Sequence, residues 1–168
     1  MVIMSSNSSK FYGILDSYLK KVDYFFSSKP FISSKMLVIY IVATDALVKY
    51  LVLFFQPSSF FPPFGYVSLV RNTGTAFGLF QNTNALWIVI SLLIILGLVG
   101  FSISFPKETG YQLAFGLILG GAIGNLIDRI VYGAVIDYVS LVGIPTFNVA
   151  DACITFGGII LFFLVVRK

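Results

Sequence analysis

Histidine is absent from this chain of 168 residues, and cysteine occurs once, as Cys153. Without histidine there is no Ser-His or Cys-His relay and no zincin motif, and a single cysteine cannot close an internal disulfide. Most hydrolase mechanisms leave with the histidine. Cys153 follows Asp151 in an apolar run with nothing basic beside it to form a thiolate, so it reads as a small packing residue rather than a nucleophile. Charge is scarce too: 11% of residues are charged against 58% hydrophobic. That is too little polar surface for a soluble globule of this length. The net charge of +4 does not imply nucleic acid as a partner, because the cations lie in the leader, at helix ends and singly, without clustering.

Long apolar runs are what the chain has instead. Four of them, at about 36–55, 85–105, 111–131 and 147–166, are long enough to cross a hydrocarbon core of about 30 Å at about 1.5 Å per residue. The expected fold is an all-α membrane protein with residues 35–168 as one four-helix domain and residues 1–34 as a leader. The first run is expected to be retained rather than cleaved, since it follows a polar, Lys-containing leader, has full spanning length and lacks a small-residue cleavage site. In the leader, Phe11, Ile14, Leu15, Tyr18, Val22, Phe25 and Phe26 recur at helical spacing opposite a polar side. This predicts an amphipathic helix, lying on the inner leaflet or docked on the protein.

Lys10, Lys20, Lys21, Lys29 and Lys35 precede the first run, Lys107 follows the second, and Arg167 and Lys168 close the chain. The other two segments offer only Arg71 and Arg129, so the positive-inside bias predicts cytoplasmic termini and outward loops at 56–84 and 132–146. Within the first loop, β-branched and aromatic residues around Asn72-Thr73-Gly74 predict one or two short strands at about 57–84, resting at the membrane surface with Phe60, Phe61, Phe64 and Tyr66 as anchors. Asn72 and Gly74 are read here as turn formers.

Ionisable residues inside a bilayer are expensive and tend to mark function. Asp45 and Lys49 stand four apart in the first run, on one face and in the favourable order for an ion pair. A structural clamp is the expected role, with a proton pathway as the alternative. The third run spaces Gly116, Gly120 and Gly124 four apart, a line along which another helix can approach closely. Its outer end turns polar with Asn125, Asp128 and Arg129, and the fourth run begins with Asn148 and Asp151. These groups are expected to meet at one depth.

Four patches, TDALVK, RNTGTAFG, GNLIDR with GAVIDY, and FNVAD, together resemble the lipoprotein signal peptidase (signal peptidase II) family, from about Lys35 to the C-terminus. The resemblance implies a four-helix fold with a small extracytoplasmic β subdomain in the bacterial cytoplasmic (inner) membrane. It also implies an aspartic endopeptidase, without metal or other cofactor, that cuts prolipoproteins before their diacylglyceryl-modified cysteine. The partners so implied are those signal peptides and membrane lipid, and a monomer is expected. The family's catalytic aspartates fall on Asp137 and Asp151, and its supporting residues on Asp45, Lys49, Asn72, Gly74, Asn125, Asp128, Arg129 and Asn148. The leader is longer than the family usually has, and the segment between Asp137 and Asp151 is short. The competing class is a small transporter or channel subunit relaying protons or cations through buried carboxylates.

The choice of Asp137 over Asp128 can also be argued from the residues. Two carboxylates activate a water when one is protonated and one ionised. Arg129 beside Asp128 is expected to hold that group as an anion, whereas Asp137 has no cation within seven residues and burial favours its protonated form. Asp151, in a helix's first turn, is the expected anion. Two unrelated interfacial carboxylates fit the spacing equally well.

Overall fold

The computed structural model describes residues 13, 16, 17, 34–56, 58–61, 65–74, 80–102 and 109–166. Gly13, Asp16 and Ser17 are helical, and the rest of the expected amphipathic leader helix lies outside the described residues. So do Phe64, Lys107 and the two terminal cations.

Four long helices organise the described residues: α1 (Ser34–Phe55), α2 (Asn84–Ser102), α3 (Thr109–Tyr132) and α4 (Val149–Val166). Among the described residues, α1, α3 and α4 are each long and apolar enough to cross a membrane. The 19-residue helix α2 carries no ionisable side chain and runs beside α3. Broad apolar faces of α1, α2 and α4 remain exposed, including Tyr40, Phe54, Leu93, Leu96, Phe156 and Phe162. Such surfaces suit lipid rather than water.

Helix α3 is the centre of the bundle because its glycines remove side chains on two sides. Gly116, Gly120 and Gly124 lie against Leu37, Ile41 and Asp45 of α1, each matched to a residue at the same four-residue spacing. Gly121 lies against Ala150 and Ile154 of α4, and Gly157 of α4 returns the contact on Ala114 and Ile118. Where the hydrophobic effect cannot drive helices together, close backbone approach and dispersion must. A Cβ at position 124 would fall 2.7 Å from Asp45 Oδ2, so this glycine line also keeps open the space that a carboxylate occupies. At the opposite end of the bundle from the sheet, the Tyr111 hydroxyl donates to the Leu164 carbonyl at 3.2 Å, satisfying an end group of α4.

Among the described residues, four antiparallel strands form one sheet in the order β1 (Ser58–Phe61), β2 (Gly65–Asn72), β3 (Val135–Leu141), β4 (Ile144–Phe147). The loop expected between the third and fourth helices is therefore a hairpin that completes the sheet begun before α2. Val135 to Tyr138 are all buried, with a helical surface on one side and β2 and β4 on its edges. The VIDYVSL stretch between Gly133 and Gly143 carried that signal, being β-branched and aromatic between two turn residues with positive φ.

Candidate functional site

The C-terminal parts of α1 and α3 and the start of α4 meet β2 and β3 in a cluster of polar side chains that are almost wholly buried: Asp45, Lys49, Asn125, Asp128, Asp137 and Asn148. Each needs a partner, because an unpaired polar group in such surroundings costs about 1–3 kcal/mol and an unpaired charge more.

Lys49 supplies the charge balance. Its Nζ lies 2.6 Å from Asp45 Oδ2 and 2.7 Å from Asp128 Oδ2, and donates to Asn125 Oδ1 at 3.2 Å. All three ammonium protons are thus used. The expected Asp45–Lys49 pair is present, but it has a third charged member. This corrects the partner assigned to Asp128: it is Lys49, not Arg129. Adjacent residues on a helix point about 100° apart, so sequence neighbours do not pair, while an inward-facing Asp128 reaches across to α1. Asp128 Oδ2 also accepts the Ile136 backbone N–H at 2.9 Å and so ties β3 down.

The start of α4 is fixed by groups from three other elements. Asn148 caps the helix: its Oδ1 accepts the Asp151 N–H at 2.8 Å, while Asp151 Oδ2 accepts the Asn148 N–H at 3.3 Å. This reciprocal arrangement is a capping box, legible in the spacing Asn148-x-x-Asp151. Of the remaining orphan donors, the Ala150 N–H goes to Asp45 Oδ1 at 2.9 Å and the Val149 N–H to the Tyr138 hydroxyl oxygen at 3.2 Å. Burial pushes the Tyr138 phenol up to about 12, so it stays neutral. Asp45 is therefore a helix cap as well as an ion-pair partner.

Asp137 and Asp151 are joined through amides. Asn72 Nδ2 donates to Asp137 Oδ2 at 3.0 Å, and Asn148 Nδ2 donates to Asp137 Oδ1 at 2.8 Å. Register explains the first contact: Val70 stands opposite Asp137 and Asn72 opposite Val135, which puts Asn72 and Asp137 diagonally on one face. Asn72 Oδ1 meanwhile accepts the Gly74 N–H at 3.0 Å, so the residue is both turn former and site residue. Asn125 has its oxygen turned to Lys49 and to Asn148 Nδ2, at 3.1 Å, which leaves its own amide group to donate to Asp151 Oδ1 at 2.7 Å. Burial, and then the charge of Asp151, raise Asp137 from the ordinary carboxylate range to about 7 against the opposing effect of its two amide donors.

A cavity of about 780 Å³ opens beside this cluster. Asn72, Gly74, Asn125, Arg129 and Asp151 line its polar end, and β4 forms one wall. Ile94 of α2, Ile118 and Ala122 of α3, and Ile154 and Phe156 of α4 make the rest apolar. Asp137 lies behind Asn72, off the cavity surface. Among the described residues, the one polar contact of the Arg129 guanidinium is a long bond of 3.4 Å from Nη1 to the Asn125 carbonyl. An uncommitted cation facing a cavity suits a ligand with an acceptor.

Three further residues belong to the site without any motif in the sequence to mark them: Tyr138, Asn84 and Trp87. Asn84 donates to the Arg129 carbonyl at 3.0 Å and holds the start of α2 on the end of α3. That contact sets Trp87 into the cavity wall, where its indole N–H donates to Thr83 Oγ1 at 3.0 Å. The Asn84–Arg129 and Tyr138–Val149 contacts join different elements and have no local sequence signal, whereas Trp87 and Thr83 stand one helical turn apart.

The family model described as Signal peptidase (SPase) II matches residues 37–167. A lipoprotein signal peptidase of Caldanaerobacter subterraneus is 38% identical over 138 residues, covering 79% of this chain and 95% of that protein. One from Syntrophomonas wolfei is 45% identical over 100 residues, 60% of this chain and 67% of that protein. Two solved structures of a bacterial membrane enzyme, obtained by the in meso method, superpose with TM-scores of 0.74 and 0.72 at 28% identity. Each covers 80% of this chain, and the alignments take in 87% and 93% of the solved chains.

Proposed function

Since this chain belongs to the signal peptidase II family, and is thus a peptidase of a bacterial membrane that removes signal peptides from prolipoproteins, we propose that Asp137 and Asp151 are the dyad that does the chemistry. The observation that carries this reading is that Asn148 binds both groups, donating to Asp137 through its amide and to Asp151 through its backbone. One residue so fixes two carboxylates on β3 and α4 relative to each other. Asp128, in contrast, is consumed by Lys49 and the Ile136 N–H.

In the proposed cycle Asp137 carries the proton and Asp151 the charge. A water between them loses a proton to Asp151 as it attacks the scissile carbonyl, and Asp137 hydrogen-bonds the developing oxyanion before a proton passes to the leaving amine. Water reaches Asp137 when the Asn72 amide that covers it turns aside. The substrate is a prolipoprotein whose diacylglyceryl-modified cysteine follows the scissile bond. The lipid holds that bond at the outer leaflet, and the apolar length of the cavity accommodates the membrane-embedded part of the substrate. Both termini are on the cytoplasmic side in this reading, membrane lipid is a partner, and the enzyme acts as a monomer. Cleavage of a lipidated precursor by the purified protein tests the activity. A transporter would leave the precursor whole.

The proton on Asp137 sets a pH dependence. With its carboxyl raised to about 7, Asp137 is protonated below that pH and ionised above it, so kcat/KM is expected to fall along an alkaline limb with an apparent pKa near 7. The value belongs to the pair rather than to one residue. A profile measured in micelles that stays flat to about pH 9 would count against a protonated Asp137.

Arg129 is proposed to bind the substrate backbone, because its guanidinium lines the cavity while the Asn72 and Asn148 amides each donate to Asp137. Arg129→Lys is expected to lower kcat/KM by about tenfold, since an ammonium does not reproduce two in-plane donors. Unchanged kinetics at unchanged stability would remove the guanidinium from the binding site.

A further inference from the structure

The hairpin between the two aspartates has a tip that the proposed chemistry does not use. We propose that the β3–β4 turn is inserted into the hydrocarbon edge of the outer leaflet and anchors the strand that carries Asp137 at a fixed depth. The inference rests on the orientation given under Proposed function, which places this end of the bundle outward.

Exposure and chemistry are at odds there. Val142 is 80% exposed, Ile144 54% and Leu141 38%, and no residue from Tyr138 to Phe147 carries charge. Two-residue hairpin turns in water draw on Asn-Gly or Asp-Gly, whose polar side chains are solvated at the tip. Here Gly143 supplies the positive φ, +78°, while a branched aliphatic takes the most exposed position. The geometry asks for glycine, but nothing in the geometry asks for valine.

What covers the tip follows from where the hairpin is rooted. It leaves the end of α3, where Ile130 and Val131 are each 62% exposed, and returns directly into α4, so its first stem continues a surface that suits lipid. On its other side β4 forms the cavity wall through Ile144, Pro145, Thr146 and Phe147. The hairpin therefore stands between the bilayer and the cavity. A leaflet gripping its tip holds β3, and Asp137 with it, in register with a scissile bond whose own depth is set by lipid.

The test places a nitroxide at Val142→Cys in a Cys153→Ser background, in bilayers of phosphatidylethanolamine and phosphatidylglycerol, with Asn82→Cys as a second site on the exposed loop before α2. Relaxation by oxygen is expected to dominate at 142, and relaxation by a water-soluble nickel complex at 82. A nickel-dominated signal at 142 overturns the anchor, as does spin broadening that vanishes on dilution with unlabelled protein, which would make a second copy the occupant. Labelling of Asn82→Cys from the same face as Ser8→Cys would instead overturn the orientation while the depth at 142 still decides the anchor. For function, Val142→Asp is expected to lower kcat/KM on a lipidated precursor by about tenfold in bilayers and far less in micelles, because a carboxylate resists insertion. Equal activity of the variant and the parent in bilayers overturns the role in setting depth.

Discussion

Asp137→Asn and Asp151→Asn are each expected to abolish precursor cleavage, by about 10²- to 10⁴-fold in kcat, in protein that folds normally. An asparagine at 137 keeps the shape that Asn72 and Asn148 enclose but cannot protonate an oxyanion or a leaving amine. At 151 it keeps the cap on α4 in part, yet it cannot accept a proton from water. Asp128→Asn is the informative contrast. That side chain balances Lys49 and anchors β3, so its loss should appear first in folded yield and melting temperature. Cleavage assays on all three purified variants, each checked for folding, decide the matter. Near-wild-type turnover in either dyad variant would falsify the dyad, and a dead, well-folded Asp128→Asn beside an active Asp137→Asn would move the site to Asp128.

The second large effect is expected at Lys49, in stability. Lys49→Met removes the cation that neutralises Asp45 and Asp128 inside the bundle, and it also strips a donor from Asn125. Breaking a buried charge network by removing one partner costs about 3–5 kcal/mol, a large share of the stability of a small domain. Folded yield in detergent should collapse. Asp45→Asn should cost less, because Lys49 keeps Asp128 and the asparagine oxygen can still accept the Ala150 N–H. Thermal unfolding of the two variants, alongside their cleavage rates, separates structure from chemistry. If Lys49→Met kept the parent's melting temperature but lost cleavage, its role would be in the reaction and not in the clamp.

Much of this site was legible in the chain because a membrane makes polar residues conspicuous. Asp45, Asn125, Asp128, Asp137, Asn148 and Asp151 stand out against apolar runs, and helical spacing alone put Asp45 with Lys49 on one face. The glycines of α3 announced close helix contact for the same reason. The capping box at Asn148 and Asp151 was equally local. The partner of Asp128 was not, since the adjacent Arg129 is the neighbour in sequence and Lys49, 79 positions away, is the neighbour in space.

The sequence by itself determined that this is a membrane protein, where its helices run, and that its carboxylates gather near the ends of the third and fourth. Those properties follow from composition and from the 3.6-residue period, which act over a few turns. Only the tertiary structure decided that residues 135–147 finish a sheet begun at residue 58, that Asn72 sits diagonally from Asp137, and that Arg129 is left facing the cavity. Strand partners, register and the choice among buried partners depend on contacts between distant segments, and each is settled by which arrangement leaves no buried charge or backbone donor unpaired.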